Sequence, residues 1–78
     1  MLIKFTHHAL TQMKSRNITT DKIKKTLDNP DKLIDNSFGN KIAQKLFGNI
    51  LYRVVFFSRN NEKVIITAYK TTKFKNYL

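Results

Sequence analysis

The chain contains no cysteine, no tryptophan, one proline and two glycines. Without cysteine there is no disulfide framework, no thiolate nucleophile and no cysteine-ligated zinc. Gly39 and Gly48 are too few and too far apart for a phosphate-cradling glycine loop. Acids are scarce as well: five Asp and Glu stand against 15 Lys and Arg, a formal net charge of +10 at pH 7. They are also scattered. Asp28 and Asp31 flank Pro30, Asp21 opens a helix and Glu62 sits in a hairpin, so no carboxylate pair for hydrolytic acid–base work emerges. No apolar run approaches the ~20 residues of a membrane helix. Met1 to Lys4 leads into Thr6, His7 and His8 rather than an apolar stretch, so no secretory leader is expected. His7 and His8 are adjacent and point in different directions on a helix, which excludes them as a two-ligand clamp. Neither a metal nor any other cofactor is expected, and a cytoplasmic protein fits this profile best.

What is present suffices for one small core. At 78 residues, 41% of them hydrophobic and 12% aromatic, the chain is expected to form a single domain over residues 1–78. With no staple, a partner protein is expected to add to its stability. The positive charge creates a field that attracts polyanions, nucleic acid being the commonest. It is most one-sided at the end of the chain, where Lys63, Lys70, Lys73 and Lys75 follow the last acid, Glu62.

Two short helices are predicted first. Thr6 caps one whose apolar positions are Ala9, Leu10 and Met13, and Asn17 suits its left-handed exit. Thr19 caps the second, with Asp21 in its first turn, Ile18 and Ile23 as a hydrophobic staple, and Leu27 one turn beyond Ile23. Pro30 biases Asn29 out of helical geometry and ends it. Strands follow at Lys32–Asn36, Lys41–Phe47, Ile50–Ser58 and Lys63–Lys70. They are separated by Phe38-Gly39-Asn40, Gly48-Asn49 and Arg59-Asn60-Asn61-Glu62. The expected fold class is therefore α+β: two N-terminal helices packed on a roughly four-stranded antiparallel sheet. With Asn60 and Asn61 as loop residues, an uninterrupted register puts Tyr52, Val54 and Phe56 opposite Tyr69, Thr67 and Ile65. Arg53 then lies opposite Ala68. A lone Arg in a hydrophobic strand either faces a groove or an anion, or reaches the sheet edge and snorkels to water. The six Phe residues read as core or partner contacts rather than base-stacking platforms.

The remaining chemistry is cationic and phenolic. Arg53, Lys70, Lys73, Lys75 and Tyr77, with Lys41 and Lys45 on a neighbouring strand, are placed to gather near one end of the sheet. When a ribose 2′-hydroxyl attacks the adjacent phosphate, Arg or Lys stabilises the developing charge and Tyr or His moves a proton. The same set would equally serve a module that only binds phosphates.

His8-Ala9, Met13, Arg16-Asn17-Ile18 and Leu27-Asp28-Asn29-Pro30 together resemble a family of small uncharacterised prokaryotic proteins. Its pattern is a His-Ala pair, two Arg in the first helix, an Ile before the second helix and an Asn-Pro turn. Gln12 stands where that family often has the first Arg. The family is in turn similar to the RelE/ParE/BrnT toxins of toxin–antitoxin pairs. Tyr52-Arg53-Val54-Val55-Phe56 resembles their central strand, and Tyr69-Lys70-Thr71-Thr72-Lys73-Phe74-Lys75-Asn76-Tyr77 their basic tail closed by a Tyr. The resemblance implies a RelE-like toxin acting as a metal-independent endoribonuclease on messenger RNA, free or on the ribosome, and neutralised by a cognate antitoxin. Under it, Arg53 acts on the scissile phosphate and Tyr77 or His8 handles protons. Lys70 stands in for an Arg that is Thr71 here, while Lys41, Lys45, Lys73, Lys75 and Arg16 contact RNA. A non-catalytic nucleic-acid-binding protein and a ParE-type toxin with a protein target are the alternatives.

Overall fold

The computed structural model describes residues 2–78, in the order β1 (Leu2–Phe5), α1 (His7–Ser15), α2 (Thr20–Asp28), β2 (Lys32–Asp35), β3 (Lys41–Phe47), β4 (Ile50–Arg59) and β5 (Glu62–Thr71). Short 3-10 turns occupy Ser37–Gly39 and Phe74–Tyr77. Both helices form where their caps direct. The Thr6 side chain accepts from Ala9 N–H at 3.0 Å and donates to the Ile65 carbonyl at 2.9 Å, so one hydroxyl caps α1 and fastens it to β5. Asn17, at φ 55°, ends α1, with Ile18 N–H bonded to the Met13 carbonyl and Asn17 N–H to that of Lys14. This is the Schellman pattern, which satisfies carbonyls a helix end would otherwise orphan. Thr19 accepts from Lys22 N–H to open α2. Of the three apolar positions read for α1, Ala9 and Met13 reach the core and Leu10 is half exposed.

The sheet differs from the expected one. It has five strands in the order β1-β5-β4-β3-β2, and β1 runs parallel to β5, so it is mixed rather than four-stranded antiparallel. Leu2 to Phe5 is too short to carry a clear period of its own, and its partner lies at the far end of the chain. Such a pairing is set by packing: Ile3 and Phe5 close over the core, and Lys4 reaches Glu62 at 3.2 Å.

A second correction concerns the β4–β5 hairpin. The expected register holds from the turn to Phe56↔Ile65, then shifts at a bulge between Val55 and Phe56. Val55 faces Thr67, Val54 faces Ala68, and Arg53 faces Tyr69 rather than Ala68. Both faces of these strands are apolar, so no polar alternation marks the register, and one extra residue is accommodated without exposing a buried side chain.

The two faces of the sheet are covered differently. Ala9, Met13, Ile23 and Leu27 of the helices pack on Val54, Phe56, Ile65 and Ala68. The opposite face carries Gln44 and Arg53, which are covered by the C-terminal turn.

Phe38 stands apart from all this. It is 100% exposed and adopts φ 63° in the turn between β2 and β3. The left-handed region costs an L-residue about 1–2 kcal/mol, and here no burial offsets it. Phe38→Gly is therefore expected to raise stability by about 0.5–1 kcal/mol, seen as a higher urea midpoint. A lower midpoint would show that the ring packs against the fold.

Candidate functional site

β3, β4 and β5 place Gln44, Arg53 and Tyr69 side by side as Cα partners across three adjacent strands. The Arg53 Nε donates to Gln44 Oε1 at 3.0 Å and its Nη1 donates to the Tyr69 hydroxyl. Gln44 Nε2 donates in turn to the Tyr77 carbonyl at 3.0 Å, and the Tyr77 ring lies 4.3 Å from the Arg53 Cζ. The guanidinium is thus sandwiched between strand and C-terminal turn with a phenol on each side, and Arg53 as a whole residue is 9% exposed. The bulge creates this arrangement, since the unshifted register would have put Ala68 where Tyr69 stands.

Among the described residues no carboxylate stands within ion-pair distance of this cation. The ion pairs among the described residues are Lys4–Glu62, Lys25–Asp21, Lys41–Asp35, Lys45–Asp31 and Arg59–Glu62, and none reaches Arg53. Nor is the guanidinium saturated. Nη2 has no hydrogen-bond partner among the described residues, where no fully enclosed side-chain polar atom lacks one, so Nη2 is not completely enclosed. A buried positive charge without a counter-ion is costly, and a bound anion relieves that cost.

Of the residues singled out from sequence, Tyr77 joins Arg53 directly. Lys73 and Lys75 are exposed on the segment leading to it. They line two recesses, one of about 390 Å³ with Ile50, Lys70, Thr71, Thr72 and Lys73, and one of about 310 Å³ with Thr72 to Asn76. Others lie on the helix side of the sheet. Lys70 is paired with Tyr52, its Nζ 3.3 Å from the Asn17 carbonyl. Arg16 donates to the Ala68 carbonyl at 2.9 Å, and Lys45 donates to the Asn29 carbonyl at 2.9 Å. His8 is exposed on α1, which packs on that same side. Lys41 holds Asp35 at 2.7 Å, and this hydrogen bond and charge keep the Asp35 carboxyl below the usual carboxylate range. Any stability from that pair is present above the ordinary carboxylate pKa and is lost as pH falls through the depressed one. The structure therefore does not bring Lys70, Lys41, Lys45, Arg16 or His8 to Arg53. It adds Tyr69 and Gln44, which sequence reasoning missed: the first was hidden by the bulge, and a single Gln in a strand carries no signal.

A family model described as a domain of unknown function, DUF4258, matches residues 5–70. The chain belongs to the DUF4258 family. The DUF4258 match includes Gln44, Arg53 and Tyr69, while Lys73, Lys75 and Tyr77 lie beyond it. Searches of curated proteins and of solved structures return no match. Among the described residues no helix is long and apolar enough to cross a membrane.

Proposed function

We propose that this DUF4258 protein is the toxin of a toxin–antitoxin pair, a metal-independent endoribonuclease that cleaves messenger RNA in the cytoplasm. The observation that supports it is the Arg53 guanidinium, held between two phenols, without a carboxylate partner among the described residues and with Nη2 unpartnered there. A phosphodiester resting against Nη2 supplies the missing negative charge. The ribose 2′-oxygen attacks phosphorus, its proton passes to water, and negative charge develops on the phosphoryl oxygens beside Arg53. The bond to the 5′-oxygen breaks, and a Tyr69 or Tyr77 phenol supplies the proton that oxygen takes up. The products are a 2′,3′-cyclic phosphate and a 5′-hydroxyl. An antitoxin would cover the cationic surface of the free toxin, whose charge of +10 favours an acidic partner.

A second reading, RNA binding without cleavage, is favoured by the two guanidinium nitrogens already committed to Gln44 and Tyr69. One experiment separates the two. Purified protein is incubated with single-stranded RNA in the presence of a chelator, with and without ribosomes, beside Arg53→Lys. Cleavage by the wild type and a loss of about 10²–10³ in rate for the variant are expected. Intact RNA in every arm, with salt-sensitive binding retained, would replace the nuclease by the binding module. Growth arrest in cells with intact RNA would point to a protein target.

A further inference from the structure

On the helix side, at the β3–β4 hairpin end of the sheet, Phe47 and Tyr52 meet edge to face, with ring centroids 5.2 Å apart. Three ammonium groups surround the pair. Lys22 Nζ stands 4.2 Å from the Phe47 centroid and 6.0 Å from that of Tyr52, Lys45 Nζ 5.9 Å from Phe47, and Lys70 Nζ 5.9 Å from Tyr52. Lysines that share a ring are therefore within roughly 10–12 Å of one another, about the screening length at moderate salt, and repel. Asp31 offsets Lys45 at 3.7 Å, whereas neither Lys22 nor Lys70 has an acid partner among the described residues.

This uncompensated charge adjoins a concavity. The 390 Å³ recess is walled by Lys70 and Lys73, by Thr71 and Thr72, and by Ile50, whose strand partner is Phe47. Two ammoniums and two hydroxyl-bearing residues around an apolar floor suit a phosphate with its sugar. A lipid surface would instead want apolar side chains standing proud at its rim, and the recess has none, Ile50 being only partly exposed.

We propose that this recess, with Lys70 and Lys73 in its wall and Lys22 over the adjoining Phe47 ring, is a second phosphate-binding site that holds the backbone of single-stranded RNA. The inference rests on RNA being the ligand of the protein, not on Arg53 being catalytic. It assigns Lys22 and Lys70 to binding rather than chemistry.

The test uses the full chain and a fluorescent single-stranded oligonucleotide with 2′-O-methyl riboses, which binds but lacks the attacking hydroxyl. Anisotropy titrations across salt compare wild type, Lys22→Gln/Lys70→Gln, and a charge-matched control, Lys24→Gln/Lys32→Gln, whose lysines are exposed elsewhere. The site variant is expected to weaken binding about tenfold at low salt and to lower the salt slope by about 1.4, two contacts at ~0.7 each. The control should change neither by more than a small fraction of this. With cleavable RNA, the site variant should raise KM and keep kcat, the reverse of Arg53→Lys. Equal effects of the two double variants would overturn the site in favour of diffuse charge. An unchanged affinity for RNA with a weakened affinity for an acidic protein would overturn it in favour of a protein partner. If Arg53→Lys leaves cleavage untouched while the lysine variant loses affinity, the catalytic assignment falls and the phosphate site stands.

Discussion

Phe56→Ala is expected to remove about 3–5 kcal/mol of stability, the usual loss for emptying a fully buried aromatic position. Phe56 is 2% exposed, on the central strand β4, among the side chains that both helices pack upon. A chain of this length carries in total about 4–12 kcal/mol at ~0.05–0.15 kcal/mol per residue. One substitution thus takes about a quarter of the stability at the least, and about all of it if the total lies near the lower figure. With a urea dependence of about 1 kcal/mol/M for so small a domain, the midpoint should fall by roughly 3 M or more. Leu10→Ala, on a side chain 50% exposed, should change it by less than about 0.5 kcal/mol. Comparable losses for the two would mean that the helices do not pack on β4 as described.

The second large effect concerns the guanidinium. Arg53→Ala leaves Gln44 Oε1, in a side chain 1% exposed, without its donor, at about 1–3 kcal/mol. Tyr77 loses its cation as well, for about 0.5–2 kcal/mol. Removing a buried charge works in the other direction, so a net loss of about 2–3 kcal/mol is expected. Arg53→Met/Gln44→Leu removes donor, acceptor and charge together. It should recover wild-type stability to within about 1 kcal/mol, because well-packed apolar groups commonly replace buried ionic ones at no cost. The same double variant should have no activity on RNA. Denaturant melts beside the RNA assay check both halves. A double variant less stable than Arg53→Ala would mean that the polar cluster is retained for folding, and would remove a reason for assigning it a function.

Local residues made the helices legible. Thr6, Asn17, Thr19 and Pro30 act on their immediate neighbours, and each terminates or starts a helix where its own chemistry requires. The hairpins at Gly48-Asn49 and Asn60-Asn61 were legible for the same reason, with Gly48 at φ 62° and Asn60 at φ 55°. Strand β1 was not. Four residues carry little periodicity, and their partner strand lies almost the whole chain away. The candidate site was half legible. Arg53 drew notice as a charge in an apolar strand, and Tyr77 through the tail it closes. Their neighbours Tyr69 and Gln44 did not, because side chains on three strands become adjacent only when the register between those strands is set.

By itself the sequence determined the class of the domain, the ends of its helices, its two tight hairpins, an overall charge suited to polyanions, and family membership. Those properties depend on composition and on interactions over a few residues. The tertiary structure alone decided the parallel pairing of β1, and the bulge that exchanges Ala68 for Tyr69 beside Arg53. It also decided how the lysines divide between the two faces of the sheet. Side chains alternate along a strand, so a shift of one residue redistributes them between faces, and only packing against the helices and the C-terminal turn selects the shift.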